Sequence, residues 1–168
     1  MTTTKTLQTR PKAVTYILLA WIVAGTMDIT AASIQYYTKT GKTPLIVLRY
    51  ISSAVFGKEA MNGGTKMEII GLLLHYLVAL IWTLCFFIIS PAFKLYKLNK
   101  VIVGLIYGII VWIIMNVAVV PIAFSRLYHF DINKAWIACL ILMVCIGLPI
   151  SLIIGTYYQR RMRSDFAN

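Results

Sequence analysis

Long apolar stretches alternate with short polar segments along the chain, and four of these stretches are long enough to cross a membrane. They cover residues 13–35, 69–93, 101–124 and 135–158. Because an α-helix rises about 1.5 Å per residue, about 20 apolar residues cross the roughly 30 Å hydrocarbon core of a bilayer. The stretches lack the period-two alternation of a membrane β-barrel. The pattern predicts an all-α membrane protein, a bundle of four transmembrane helices in one domain over residues 1–168.

The polar connection between the first and second spans is long enough to hold a short helix of its own, over residues 44–57. Thr43 is suited to cap this helix, Pro44 to occupy its first position and Gly57 to end it. A helix of this length reaches only about 21 Å, which is too little to cross the bilayer.

The short helix is amphipathic, because Arg49, Ser52 and Ser53 share one face and apolar residues cover the others. This pattern favours an interfacial or re-entrant helix on the outer side of the membrane. Two roles are open to Arg49. It would either neutralise a carboxylate inside the bundle or extend its guanidinium to the lipid headgroups.

Composition supports a lipid environment for this chain. Of its 168 residues, 60% are hydrophobic and only 12% are charged, about half the charged share of a soluble domain. The net charge is +11, but the cations lie in short segments beside the apolar stretches, where they contact anionic headgroups and set topology. The chain has no basic stripe and no aromatic RNA-binding motif. The expected partner is therefore the lipid bilayer and not nucleic acid.

The distribution of cations predicts the orientation. Nine lie on the side of the two termini and seven on the other side, and the nine are close to the span ends, where the positive-inside bias is strongest. We therefore expect both termini in the cytoplasm, at an inner membrane. Lys5, Arg10 and Lys12 would also suit a signal peptide, but the first span is longer than a signal core and lacks an Ala-x-Ala site. The first span is expected to be retained.

Small residues recur on one face of each span, and such faces let membrane helices approach closely. The expected helix-packing positions are Gly71, Gly104, Gly108, Gly147, Ser151 and Gly155. The last three follow one another at four-residue steps and would serve packing within the chain or self-association. Pro121 and Pro149 are expected to kink the third and fourth spans.

One acid, Asp28, lies inside an apolar span, where an ionised carboxylate costs about 2.5–3.5 kcal/mol. It should therefore face the bundle interior and be either paired or protonated. Asp28, His75 and Asn116 all lie about 9–12 Å below the same end of their spans. We expect them to form one buried polar cluster, roofed by the short helix.

An acid beside an imidazole can exchange a proton, so a proton relay or a cation-coupled site is the functional hypothesis for Asp28 and His75. Glu68, two turns before His75, would be the point where protons arrive from outside. The other candidate partners of the cluster are Arg49, Ser52 and Ser53. A structural role is the alternative for the Asp28–His75 pair, because interhelical hydrogen bonds of about 0.6 kcal/mol also fix helix packing.

Catalytic residues, cofactors and metals are not expected. His75 and His129 are the two histidines, and their different depths argue against a bis-histidine haem. Cys85, Cys139 and Cys145 all fall in apolar stretches without a Cys-x-x-Cys motif, which is typical of small buried side chains. The sequence also lacks nucleophile-elbow, zinc-protease and phosphate-loop motifs.

The candidate residues belong to a wider set of glycines and polar positions. The set is Gly25-Thr26-Met27-Asp28, Arg49, Ser52-Ser53, Gly57, Gly63-Gly64, Gly71, His75, Gly104, Gly108 and Pro121. In these residues the chain resembles a group of small bacterial four-span membrane proteins usually called uncharacterised. The resemblance covers the chain from Gly25 to Pro121, implies a bacterial inner membrane and gives no activity.

Two functional classes remain as hypotheses. The first is a proton-linked transporter or channel-like factor that uses Asp28 and His75. The second is a structural or accessory subunit of a membrane complex, and an enzyme is third. Four spans are few for a solute pathway within one protomer, so both hypotheses favour a homo-oligomer or a membrane-protein partner.

Overall fold

A computed structural model describes residues 12–124 and 132–166, without the side chains of 132–134 and 166. This part of the chain is helical and contains no strand. The helices are α1 (Ala13–Thr40), α2 (Leu45–Phe56), α3 (Gly64–Ala92), α4 (Lys100–Ile114), α5 (Val120–Ala123), α6 (Ile132–Leu142) and α7 (Leu148–Phe166). Two π-helical segments join α4 to α5 and α6 to α7, and they are Met115–Val119 and Met143–Gly147. Two 3₁₀ turns, Gly57–Asn62 and Leu95–Lys97, complete the connections.

Four helical segments are long and apolar enough to cross a membrane, which confirms the predicted fold class. They are Ala13–Thr40 (span 1), Gly64–Ala92 (span 2), Lys100–Ala123 (span 3) and Ala135–Asp165 (span 4). Spans 1 and 2 extend about a turn further toward α2 than their apolar stretches do. The reason is that apolar residues mark the hydrocarbon region, whereas a helix continues until a backbone signal ends it. For α1 that signal is Gly41, at φ 65°, whose N–H bonds the Tyr37 carbonyl.

The short helix between spans 1 and 2 is present, but its start differs from the prediction. Pro44 is the capping residue and no side chain caps the helix, so the role expected of Thr43 is wrong. The Thr43 and Pro44 carbonyls accept hydrogen bonds from the backbone of the first turn. The helix ends as expected at Gly57, at φ 68°, which a residue with a Cβ adopts only with strain.

Each of the two π-helical segments ends two residues before a proline, Pro121 in span 3 and Pro149 in span 4. A proline inside a helix lacks the N–H and its ring collides with the carbonyl one turn earlier. An extra residue in that turn widens the helix and relieves the collision. The distortions expected at the prolines therefore take the form of π turns.

Span 4 is the central helix of the bundle. It packs against spans 1, 2 and 3, and 39% of its most apolar window is buried, compared with 17% for spans 1 and 2. Its Ile150 and Ile154 are fully buried, and they belong to the same core as Phe86 and Tyr107. The Phe86 and Tyr107 rings meet edge to face with centroids 4.8 Å apart.

Spans 3 and 4 meet through small residues, with almost no side chain between the two backbones. A Cβ added at Gly104 would lie 2.9 Å from the Gly147 carbonyl and 3.1 Å from the Ser151 Cβ. Ser151 also donates a 2.8 Å hydrogen bond to the Lys100 carbonyl. The Gly147–Ser151–Gly155 face is therefore covered by span 3 of the same chain, including the Lys100 side chain, so these residues serve packing within the chain.

Both ends of the described chain lie at one end of the bundle. Arg160 near the end of α7 donates a 2.9 Å hydrogen bond to the Tyr16 hydroxyl near the start of α1. Gln159 donates another, of 2.9 Å, to the Tyr96 carbonyl in the 3₁₀ turn between spans 2 and 3. The other end carries α2. Of the cations used to predict orientation, Lys5, Arg10 and Arg126 lie outside the described residues.

Replacing Tyr107 with phenylalanine should destabilise the core slightly. The buried Tyr107 hydroxyl donates a 2.6 Å hydrogen bond to the Trp82 carbonyl and so joins spans 2 and 3. Since interhelical hydrogen bonds in membranes average about 0.6 kcal/mol and reach about 1.7, Tyr107→Phe should lower the free energy of unfolding within that range. Reversible unfolding in mixed micelles would measure it, with the exposed Tyr37→Phe as the control that should not change stability. If Tyr107→Phe lowered the free energy of unfolding no more than Tyr37→Phe does, the Tyr107–Trp82 hydrogen bond would not stabilise the bundle.

Candidate functional site

The three residues of the predicted polar cluster line one cavity inside the bundle. Asp28 comes from span 1, His75 from span 2 and Asn116 from span 3, and the cavity volume is about 210 Å³. The remaining lining is Val78, Ala79, Trp82, Val111, Met115, Val120, Leu142 and Ile146. Because one water occupies about 30 Å³ of the liquid, this cavity, which we call the Asp28 cavity, holds several waters or a small solute.

His75 is fixed by one of its two ring nitrogens. Its Nε2 lies 2.8 Å from the Gly25 carbonyl of span 1. A carbonyl only accepts hydrogen bonds, so Nε2 carries a hydrogen in this contact. The imidazole is therefore held against the backbone of span 1 through Nε2, and this contact leaves Nδ1 unused.

The backbone of span 1 comes close to span 2 at the level of His75. A Cβ on Gly25 would lie 2.9 Å from the Tyr76 ring. Trp21 donates a 2.7 Å hydrogen bond to the Tyr76 carbonyl, and the Thr26 and Tyr76 hydroxyls lie 2.7 Å apart. Trp21 and Tyr76 are not among the residues predicted from the sequence to matter at this site. The signal that could have identified them is the i, i+4 spacing of Trp21 and Gly25, which puts a large donor and a gap on one face.

Asn116 lies in the π-helical segment Met115–Val119 and points to the cavity although its spacing from Gly104 and Gly108 predicts another direction. The wider turn changes the angular position of each residue that follows it, and π turns are frequent at functional sites. The Asn116 amide nitrogen donates a 2.9 Å hydrogen bond to the Trp112 carbonyl.

Asp28 and His75 face the same cavity from spans 1 and 2. No direct hydrogen bond or ion pair between their side chains is present in the part of the chain that the structure describes. Water in the cavity would therefore have to bridge the carboxyl and the imidazole for a proton to pass between them. His129, the other histidine, lies outside the described residues.

Arg49 pairs with Glu68 and not with Asp28. Its Nε and Nη2 lie 2.9 and 2.6 Å from Glu68 Oε1, and its Nη1 donates a 3.4 Å hydrogen bond to the Met61 carbonyl. The expected neutralisation of Asp28 by Arg49 is therefore wrong, while its approach to the lipid headgroups stays a prediction. Glu68 is 7% exposed and bound to a guanidinium, so it is not the open carboxylate expected to receive protons from outside.

The polar face of α2 is turned toward span 2 and not toward the membrane surface. Ser52 is fully buried and donates a hydrogen bond to the Met67 carbonyl. A Cβ on Gly71 would lie 2.7 Å from the Leu48 carbonyl carbon, so Gly71 serves the packing of α2. Ser53 bonds the Tyr50 carbonyl within α2 itself, at 2.6 Å. The contacts of Arg49, Ser52 and Gly71 therefore dock α2 on α3, whereas Ser53 stabilises only α2 itself.

The short helix does not roof the Asp28 cavity. Among the described residues, none of α2 lines that cavity. It instead forms a wall of a second cavity of about 580 Å³, which we call the α2-side cavity. Its lining is Ala32, Gln35, Tyr36, Lys39, Thr40, Ile46, Val47, Tyr50, Met61 and Ala138.

The fold and its interior define a multi-pass α-helical membrane protein with a small, mostly apolar cavity between its spans, into which three polar side chains project. No protein-family profile, curated protein or solved structure matches the chain.

Proposed function

We propose that this multi-pass membrane protein is a proton-linked transporter or channel-like factor of a bacterial inner membrane. The observation that carries the proposal is the presence of an acid and an imidazole around one cavity at membrane depth. Ionisable residues inside spans are costly and mark proton relays and ion pathways in many membrane proteins. Asp28 and His75 are the groups that would bind the transported proton.

The charges of the pair explain how proton binding and ion binding would be linked. With one shared proton the pair is neutral overall, either as carboxylic acid with neutral imidazole or as carboxylate with imidazolium. Loss of that proton leaves one negative charge in an apolar cavity, where a small cation would be attracted in its place. Proton and cation would then compete for Asp28, which is one requirement for exchange across a membrane.

Flux through proteoliposomes tests the proposal. Vesicles that hold the wild-type chain, Na⁺ or K⁺ and an internal pH-sensitive dye should dissipate an imposed pH gradient faster than protein-free vesicles. Asp28→Asn and His75→Gln should each return the rate to that of protein-free vesicles, because neither replacement side chain takes up a proton near neutral pH. Glu59→Gln is the matched control. It removes an exposed acid outside the cavity and should keep the wild-type rate.

A structural role remains the second candidate, and the His75–Gly25 hydrogen bond favours it. That bond lies beside the Trp21–Tyr76 and Thr26–Tyr76 contacts and would hold spans 1 and 2 together even in a protein that transports nothing. In this case wild-type vesicles would behave like empty ones, and Asp28→Asn and His75→Gln would only lower the unfolding temperature in detergent. This result would reject transport and leave an accessory subunit.

Orientation and assembly complete the proposal. We infer that both termini are cytoplasmic, from the cations beside the span ends, so α2 would lie on the periplasmic side. We also infer that the chain works as a homo-oligomer or with a membrane-protein partner, because four spans leave little room for a solute pathway. The resemblance to small bacterial four-span proteins supports the same membrane without supplying a substrate.

A further inference from the structure

We propose that the α2-side cavity is the access route from the α2 side of the membrane to Asp28, with Ala32 and Ala138 as its narrowest point. This inference deepens the proposed function and rests on it for its purpose, but the geometry is independent of what is transported. It assigns the side from which protons and ions arrive, together with two residues that control their passage.

The two cavities follow one another along the same faces of α1 and span 4. On α1, Asp28 lines the inner cavity and Ala32 the outer one. On α6, Leu142 lines the inner cavity and Ala138 the outer one. Residues four apart are neighbours on one helix face and differ in height by about 6 Å. On both helices, therefore, the outer cavity begins one turn beyond the inner cavity.

Polar side chains line the α2-side cavity at the end of α1. Lys39 and Thr40 lie in the last turn of α1 and are exposed, and Gln35 lies about one turn below them. The opposite wall is α2, through Ile46, Val47 and the Tyr50 ring. The Arg49–Glu68 pair holds that wall against span 2.

Ala32 and Ala138 are the lining residues of the α2-side cavity that lie one turn from lining residues of the Asp28 cavity, so the proposed passage runs between their methyl groups. The small alanine side chains leave a passage between the two helices that larger side chains would fill. An apolar constriction of this kind closes a pathway while water is excluded from it and opens the pathway when water enters. A bulkier residue at Ala32 or Ala138 should therefore close the passage. Ala138→Ser adds a hydroxyl while keeping the side chain small, so water should enter the passage more readily and open it further.

Thiol labelling tests the route without any transport assay. Cys85, Cys139 and Cys145 are first replaced by alanine, and Asp28→Cys is introduced into that background. In lipid nanodiscs a charged, water-soluble thiol reagent should label this cysteine. Adding Ala32→Phe or Ala138→Phe should slow labelling by about tenfold or more, whereas Ala138→Ser should speed it. Ala92→Phe adds the same ring at an exposed position toward the other end of α3 and should leave the rate unchanged.

Three results would overturn the route. The first is an Asp28→Cys that a charged reagent does not label. The second is labelling that Ala32→Phe and Ala138→Phe slow no more than Ala92→Phe does. The third is labelling by an uncharged lipid-soluble maleimide alone, which would mean that the α2-side cavity opens to lipid.

A second measurement covers the case in which Asp28→Cys fails to fold. A water-soluble carbodiimide should modify Asp28 itself in the wild-type chain, as located by peptide mass spectrometry, and Ala138→Phe should suppress the adduct. These readouts separate the two proposals. Labelling that is blocked as expected in a chain with no flux supports the route and rejects transport. Flux that persists with the route blocked supports transport and rejects the route.

Discussion

Arg49→Met alone should lower the free energy of unfolding by about 3 kcal/mol, the lower end of the range for breaking a buried ion pair, because the Arg49 side chain is 28% exposed. The reason is the carboxylate that remains. The Glu68 side chain is 10% exposed, and Arg49 supplies it with two hydrogen bonds, so the variant leaves a buried acid with neither charge partner nor donor at that position. Reversible unfolding of the purified chain in mixed micelles would give the value.

The double variant Arg49→Met with Glu68→Met should recover most of this loss. Replacing both members of a buried pair with apolar residues of similar size is often neutral or stabilising. Lys66→Met removes an exposed cation close by and should leave stability unchanged. If the single and double variants lowered the free energy of unfolding equally, the Arg49–Glu68 ion pair would not be what holds α2 against span 2. The Ser52 and Gly71 contacts would then hold α2 in place.

The four spans could be predicted because lipid imposes a simple requirement on the sequence. Every backbone polar group must be satisfied within a helix, and about 20 apolar residues must follow one another. The depth of Asp28, His75 and Asn116 follows from the same counting, and the cavity they line lies where the depths agree. Counting also identified Gly104, Gly108 and Gly147, which the structure brings into one interface.

The direction of side chains could not be predicted with the same success, because depth along a helix does not fix its rotation. Asn116 turns toward the cavity only through the π turn, which the spacing of an ordinary α-helix does not contain. Arg49 has Glu68 as its partner, 19 residues away in the sequence, and this choice depends on how α2 folds back on α3. The wrong expectations for Arg49 and Glu68 therefore have a common cause, the unknown docking of α2.

Gly147→Ala should destabilise the chain by about 3 kcal/mol, at the upper end of the usual effect of overpacking. A Cβ at Gly147 would lie 2.8 Å from the Gly108 nitrogen and 3.0 Å from the Gly104 carbonyl carbon. These are backbone atoms of span 3, so spans 3 and 4 would have to move apart, and the close packing of small residues that holds membrane helices together would be lost. The free energy of unfolding in mixed micelles is again the measurement.

Gly155→Ala is the matched control for Gly147→Ala, since Gly155 lies on the same face of span 4 two turns further on. Its added Cβ would meet only the Lys100 side chain, at 2.9 Å from Cδ, and a flexible lysine can move aside. Alanine also favours a helix over glycine by about 1 kcal/mol, so Gly155→Ala should be neutral or slightly stabilising. Equal effects of the two substitutions would show that glycine serves helix flexibility here. A loss confined to Gly147→Ala would show that the close backbone contact between spans 3 and 4 stabilises the bundle.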